Sequence, residues 1–580
     1  MFFRCSRLGK VNSKLSFYRL IHKYIFKMEK AYLRHVDSGD QFELALKYSN
    51  EQLKVNRQFN FSRKLTESVE SFTSRVATNL EKVMNKKIRK KDKINKEVGI
   101  NKLTVSLLLN NIEVSKDVTC ENIFQPGNNI TLKVMDKEYD VIVNSPWVDN
   151  LSLPMSMLAG FPTYPSKFEV VFTNKEISEF IWSKSLDEKN WTVVGNDYIY
   201  EPSNEDINHY LKLTCIPKNE QFEGPTVECV SVCKVEANPG QCPFELRHQF
   251  TKERTKENEI RIVTYNILAD LYCDSDYTRT VLHPYCPPYA LEIDYRKQLL
   301  VKEILGYNSD VICLQEVDRK VFQYDLDPVF NYLGYGSNFF TKGNEVAEGL
   351  ALFYYKKKFN LLESHRFVFS EHISHDKTFA DIWEKIAKNE NLSKRISERA
   401  TTMQVNVLDV LNRDDIIVVA NTHLYFHPDA DHIRLLQGGL AIRYLENFIT
   451  SLKEKTSKRI SLIFCGDFNS VPECGIYKLY TEGVVPSDFI DYQSNKEEAV
   501  TGVELKQPFK LASACGTPRY TNYTEGFNGC LDYIYYEKDN FSVSQVVPMP
   551  SHDEVTANVA LPSVVFPSDH IALVSDLKWL

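Results

Sequence analysis

The sequence predicts an α/β C-terminal half with packed sheets, preceded by a mainly β region, and three observations predict it. After Ile260 come short runs too apolar to be half-exposed strands: Ile260 to Val263, Val311 to Leu314, Ile416 to Ala420, Leu462 to Cys465, Leu531 to Tyr536 and Ile571 to Val574. Runs of this kind are strands covered on both faces. Between about Val98 and Ser145 the apolar period is two, which marks β-hairpins. The chain has 580 residues, more than one core holds at roughly 100 to 200 residues per domain.

Taken in order, the first stretch carries Arg4, Arg7, Lys10, Lys14, Arg19, Lys23 and Lys27 among apolar and Ser residues, with no acid before Glu29. That composition predicts a mitochondrial transit peptide over residues 1–28 and a matrix location, with a cytosolic form if translation starts at Met28. From Leu65, the positions Val69, Phe72, Val76, Leu80 and Val83 recur at steps of three and four, the pattern of a helix with one apolar face. It runs into Lys86, Lys87, Arg89, Lys90, Lys91 and Lys93, expected to be a solvated helix end or linker. Ile130, Leu132 and Val134, a polar Asp136-Lys137 turn, then Tyr139, Val141 and Val143 predict a hairpin.

Strand-like runs follow at Phe168 to Phe172, Phe180 to Trp182, Tyr210 to Cys215 and Val227 to Val232, and suggest a small β-sandwich with Trp182 as its core anchor. The turn-rich segment Asn238 to Pro243 and the charged residues from Lys252 to Glu259 close it. The expected division is a leader over 1–28, an α+β region over 29–150, a β-sandwich-like domain over 151–245 and an α/β domain over 258–580.

Composition removes some functions. The formal net charge of −7 argues against gripping nucleic acid by bulk charge, so any such contact is local. Thirteen cysteines sit in apolar runs without paired ligand spacing, and Cys229 and Cys233 find no second pair for zinc. They are expected to be reduced thiols. No apolar run approaches the ~20 residues of a membrane helix, so no membrane insertion is expected.

Each buried run carries polar residues at one end. Asn266 follows the first, Gln315-Glu316 the second, Asn421-Thr422-His423 the third and Gly466-Asp467-Phe468-Asn469 the fourth. Asp532 lies near the start of the fifth, and Asp569-His570 precede the last. Such repetition suggests strands that deliver side chains to one rim. The chemistry fits a phosphodiester, whose oxygens repel a nucleophile until a hard cation neutralises them. Magnesium takes oxygen ligands and keeps several waters, which Glu316, Asp467, Asn469, Asn266 and Asp569 suit; manganese is the natural substitute. His423 and His570 can address the phosphate and move protons.

Thr264 to Leu268, Cys313 to Val317, Asn421 to Leu424, Gly466 to Asn469, Leu531 to Ile534 and Pro567 to His570 resemble, in order, the signature blocks of the endonuclease/exonuclease/phosphatase superfamily. The resemblance implies a four-layered α/β sandwich with its active site at one end of two packed sheets. It implies Glu316 as principal metal ligand, with Asn266 and Asp569 in support. Asp467 and Asn469 become the pair that positions metal, water and phosphate, and the aspartate is either a ligand or an acid/base. His570 with Asp532 resembles the dyad beside the scissile phosphate, and His423 the phosphate-binding imidazole.

The segment His423 to Pro428 and the placement of Phe527 five residues before Asp532 are similar to the deadenylase branch. The resemblance implies that Pro428 and Phe527 sandwich an adenine, with Asn469 as a candidate edge contact. Leu153 to Gly160, Arg279 to Cys286, Pro288 to Glu292, Thr521 to Tyr523 and Asp569 to Trp579 resemble the mitochondrial 2′,5′-phosphodiesterase family. What this implies is removal of adenylates from 2′,5′-oligoadenylate and from the 3′ poly(A) ends of mitochondrial RNA, releasing 5′-AMP, with no stable protein partner. The alternatives are an RNA-binding scaffold with an inactive domain, or a lipid phosphodiesterase on the same fold.

Overall fold

A computed structural model describes residues 29–35, 39–52, 54–91, 103–343 and 346–580. The basic leader 1–28 and Lys93 lie outside them. The chain divides into two compact units, one gathering residues up to 150 with 169–179 and 215–227, the other 151–168, 180–214 and 228–580.

In the first unit, β1 (Glu29–His35), β2 (Gln41–Asn50), β3 (Val55–Lys64), β4 (Val105–Leu109), β5 (Ile112–Glu113), β6 (Ile130–Val134) and β7 (Lys137–Val143) form one sheet in the order β3-β2-β1-β7-β6-β4-β5. The expected hairpin is β6–β7, with Met135 at φ 56 in its turn. The expected helix is α1 (Val69–Lys91), which buries Val69, Phe72, Val76 and Leu80 against Leu33, Leu44, Leu107 and Leu132 of the sheet. Lys86 and Lys87 at its far end are exposed.

Two short strands, β8 (Trp147–Ser152) and β9 (Lys167–Val171), precede a four-stranded sheet of β10 (Glu179–Ser185), β11 (Thr192–Gly195), β12 (Tyr210–Ile216) and β13 (Val227–Val230), ordered β11-β10-β12-β13. Trp182 is fully buried on β10, stacks on Tyr200 and donates from Nε1 to Asp197 O at 2.8 Å. The Leu153 to Gly160 segment has its own reason for being apolar. Leu158 and Phe161 share a core with Phe244, Leu291 and Leu299, and the Leu158 N–H donates to Gln298 Oε1 at 2.8 Å. The turn-rich stretch near 240 therefore lies inside the second compact unit, and Arg247 beyond it donates to Tyr307 and to Ala572 O.

The rest of that unit holds β14 (Glu259–Asn266), β15 (Val311–Asp318), β16 (Tyr335–Thr341), β17 (Glu348–Tyr355), β18 (Phe359–Val368), β19 (Thr402–Val410), β20 (Asp415–His423) and β21 (Arg459–Asp467). After these come the ribbon of β22 (Val484–Val485) and β23 (Leu505–Lys506), then β24 (Leu511–Ser513). A second ribbon pairs β25 (Asn522–Tyr523) with β26 (Asn528–Gly529), and β27 (Asp532–Glu537), β28 (Phe541–Val546) and β29 (Leu573–Trp579) end the chain. Two six-stranded sheets result, ordered β16-β17-β15-β14-β29-β28 and β18-β19-β20-β21-β27-β24. Both are mixed, with β14–β15 and β20–β21 parallel.

Alternate residues of each apolar run explain the layering. Ile262, Cys313, Ile417, Val419, Ile463 and Cys465 face one another in a core between the sheets. Their neighbours Ile416, Val418, Leu462 and Phe464 point outward, onto Leu435, Leu436 and Leu440 of α3 (Asp431–Lys453). On the other side Tyr265 reaches Glu303 of α2 (Ile293–Gly306). This is the four-layered α/β arrangement expected, and it accounts for runs without polar alternation, because strands covered on both faces need none.

One expected strand is corrected. Residues 571 and 572 are not strand; β29 starts at Leu573, and His570 makes a single bridge to Asn522 instead. Among the described residues the cysteines are free, and no helix is long and apolar enough to cross a membrane.

Candidate active site

The register of the second sheet sets side chains from three strands in a row. His423 at the end of β20 pairs with Asp467 at the end of β21, which pairs with Asp532 at the start of antiparallel β27. Gly466 makes the close approach: at φ 152 a Cβ there would lie 2.1 Å from Thr422 O. Only glycine fits a strand that passes its neighbour so tightly.

The first sheet supplies the opposite wall. Asn266 ends β14, and its Nδ2 donates to Glu316 Oε1 at 2.9 Å and to Asp467 Oδ2 at 3.1 Å, so one amide ties the two sheets together. Glu316 sits in a β-bulge between Leu314 and Val317, at φ 55. A left-handed φ on a non-glycine residue is strained, and strain of this kind gathers at functional sites. The bulge turns the carboxylate to the rim, where the Ala269 N–H donates to Oε2 at 3.0 Å. Gln315 beside it points between the sheets and donates to Asn421 Oδ1 at 2.7 Å, so these two residues of the motifs are braces.

His570 closes the site from its loop. Its Nδ1 donates to Asp532 Oδ2 at 2.8 Å, and its Nε2 lies 3.6 Å from Asp467 Oδ2. His423 Nε2 lies 3.6 Å from the same oxygen, and its Nδ1 lies 3.9 Å from Glu316 Oε1. Asp569 is half-buried, and its Oδ2 accepts from Asn522 Nδ2 at 3.1 Å. Asn469, at φ 49, donates from its backbone to Asp467 Oδ1 at 2.9 Å and from Nδ2 to Leu424 O at 3.0 Å. Pro428 and Phe527 are exposed; Phe527 tips the β25–β26 hairpin, where its N–H donates to Thr524 Oγ1.

The charges are unbalanced. Burial first, then Asp569 and Glu348, pushes the Glu316 carboxyl up to about 7. Burial and then Asp532 raise Asp467, with His570 and Asn266 opposing. Burial works against a charge on His570, but Asp532 and Asp467 outweigh it and hold that imidazole well above its ordinary value. Burial, with Lys342 and His570 adding to it, holds His423 well below. Glu316 and Asp467, both raised by burial and by neighbouring carboxylates, make this rim a seat for a cation, and carboxylate oxygens from Glu316, Asp467 and Asp569 suit a hard divalent one, with the Asn266 amide bracing the first two. Asp467, Asp532 and His570 also place ligand atoms within 4.8 Å of one another. There, however, His570 and Asp532 already satisfy each other, so this corner is better suited to holding a proton.

Several residues at the site were missed by the reading of motifs. Thr521 Oγ1 donates to Asp532 Oδ2 at 2.6 Å, and Ser568 Oγ donates to Asn266 O at 2.7 Å. Lys342 lies 2.5 Å from Glu348 and 3.2 Å from His423 Nδ1. The available signals were the Thr521 to Tyr523 block, which had carried a resemblance but no role, and a lone Glu348 heading the apolar run from Leu350 to Phe353.

Residues 263–570 match the Endonuclease/Exonuclease/phosphatase family, and residues 145–236 match the 2′,5′-phosphodiesterase 12-like N-terminal domain. The chain is 40% identical to 2′,5′-phosphodiesterase 12 of Rattus norvegicus over 595 residues, covering 96% of this chain and 95% of that protein. It is 40% identical to 2′,5′-phosphodiesterase 12 of Homo sapiens over 589 residues, covering 95% and 94%. The CCR4-Not complex 3′-5′-exoribonuclease subunit Ccr4 of Yarrowia lipolytica is 29% identical over 352 residues, covering 55% of this chain and 48% of that protein.

Proposed function

We propose that this chain, which belongs to the endonuclease/exonuclease/phosphatase family, removes adenylates from 2′,5′-oligoadenylate and from the 3′ poly(A) ends of RNA, releasing 5′-AMP. It is a hydrolase of that family, and the enzymes of the family typically use divalent metals. The observation that carries the reading is the convergence of Asn266, Glu316, His423, Asp467, Asp532 and His570 from both sheets on one buried rim. An inactive scaffold has no use for so costly a gathering of buried charge.

Magnesium is the proposed ion, with manganese as substitute; Glu316, Asp467 and Asp569 would hold it, with Asn266 in support through its amide bonds to the first two. When bound, such an ion neutralises phosphate charge and activates water. The protein's own groups do the rest. Asp467, raised by burial, stands where it can take a proton from the attacking water. His570, held protonated by Asp532, directs its Nε2–H toward the reacting phosphate. His423, held neutral, offers a second donor, and Asn469 fixes the orientation of Asp467 through its backbone N–H. The leaving oxygen is a ribose 2′ or 3′ hydroxyl, so the same reacting groups serve both linkages. Pro428 and Phe527, both exposed, are the proposed adenine contacts. The basic, acid-free leader supports action in the mitochondrial matrix.

The test is release of 5′-AMP from matched 2′,5′- and 3′,5′-linked triadenylates by the purified protein, with magnesium and with chelator. Magnesium-dependent release from either supports the reading and ranks the linkages. No release from a folded protein removes it.

A further inference from the structure

Lys342 belongs to none of the motifs, yet it sits behind one of the site's imidazoles. It follows β16 directly, and its backbone N–H donates to Glu348 O at 3.1 Å, which fixes where its stem begins. Its Nζ lies 2.5 Å from Glu348 Oε1 and 3.2 Å from His423 Nδ1. Glu348 is fully buried on β17 and also accepts from the Tyr272 hydroxyl at 3.0 Å, so the lysine is held by an anchored carboxylate.

An ammonium has three donors and no acceptor. The His423 nitrogen that faces it must therefore accept, and an imidazole that accepts at Nδ1 carries its proton at Nε2. That Nε2 is the nitrogen turned toward Asp467, at 3.6 Å. The separation is longer than a hydrogen bond, so the donor is aimed into the site without being consumed by the aspartate. The hydrogen bond made at one ring nitrogen decides which nitrogen of a neutral imidazole carries the proton.

We propose that Lys342, anchored by Glu348, is a positioning residue that fixes His423 as its Nε2–H tautomer and so aims a hydrogen-bond donor at a phosphate oxygen of the substrate. The proposal rests on the phosphodiesterase reading for its consequence in turnover. The tautomer itself needs no substrate.

The experiment is nitrogen-15 NMR of histidine-labelled full-length protein, the His423 signals being identified by their loss in His423→Gln, together with kcat and KM on 2′,5′-triadenylate. The wild type is expected to show His423 as the Nε2–H form. Lys342→Met should turn this into a mixture and lower kcat by about 100-fold, the loss expected for one aimed donor, with KM changed by less than about threefold. Lys342→Arg, which keeps a cation without acceptors, should restore the tautomer and part of kcat. Because Lys342→Met strands a buried carboxylate, Lys342→Met with Glu348→Gln removes both charges and preserves folding while predicting the same mixture. An unchanged Nε2–H signal in either variant overturns the proposal, as does a loss expressed in KM alone. Wild-type protein that shows the tautomer but releases no adenylate would fail the functional reading and leave the positioning by Lys342 standing.

Discussion

Asp532 accepts two hydrogen bonds on one oxygen, from His570 Nδ1 at 2.8 Å and from Thr521 Oγ1 at 2.6 Å, while its other oxygen is buried without a protein partner. The carboxylate is thus committed to holding His570 in one orientation, with Nε2 facing Asp467. Asp532→Asn retains the shape but offers a donor or a weaker acceptor to an imidazole that needs an anion. We expect kcat to fall on the order of 1,000-fold or more while the far-ultraviolet dichroism spectrum is unchanged, by analogy with the aspartate behind a catalytic histidine in hydrolytic triads. Retention of most of kcat would dissolve the dyad.

Glu316 carries its charge against burial and against Asp569 and Glu348. Glu316→Gln relieves that repulsion. In chelator the variant should melt at the same temperature as the wild type or higher. Added magnesium should raise the melting temperature of the wild type, since binding to the native state stabilises it, and should leave the variant unmoved. Equal magnesium shifts in both proteins would take the cation away from Glu316.

Phe527 is 45% exposed, so its removal opens no cavity. Phe527→Ala should alter stability by no more than about 0.5 kcal/mol. Stacking on a base is worth about 1–3 kcal/mol, and kcat/KM for oligoadenylate should fall by a corresponding factor of about 5 to 150, with a smaller fall for oligouridylate. Parallel losses on both substrates would leave the ring without a part in base choice.

His432 is fully buried on α3, between Ser494 on Nδ1 and Glu498 on Nε2. Burial lowers its pKa from the ordinary 6.5, with Glu498 opposing. A folded-state pKa below the unfolded one means that the unfolded chain takes up the proton first, so this residue's contribution is complete above about 6.5 and shrinks as the pH falls. The stability advantage of wild type over His432→Gln, measured by urea unfolding, should therefore narrow between pH 7.5 and 5.5. A constant or widening gap would contradict the assignment.

The parts of the fold legible in the sequence were those whose physics is local. The pattern of Val69, Phe72, Val76 and Leu80 marks a helix by itself, and Ile130, Leu132 and Val134 mark a strand, because burial on one face imposes a period. The strands β1 to β3 and β16 to β19 were not read. Tyr335 to Thr341, for example, mixes Gly, Ser and Asn with aromatics, and only its pairing with β17 makes it a strand. His570 was placed before a strand that begins three residues later, because the single bridge to Asn522 is invisible along the chain.

By itself the sequence determined the kind of site and the order of its parts. Glu316, His423, Asp467, Asp532 and His570 each stand beside a buried run, and a polar residue at the edge of an apolar stretch is a local signal. Tertiary structure alone decided how those groups are charged and aimed. The close pass of Gly466 by Thr422 O, the Thr521 bond to Asp532 and the approach of Lys342 to His423 across 81 residues all arise from strand register and sheet packing. Proton positions and pKa values depend on distances of a few ångströms, and those distances exist only once the two sheets have closed on each other.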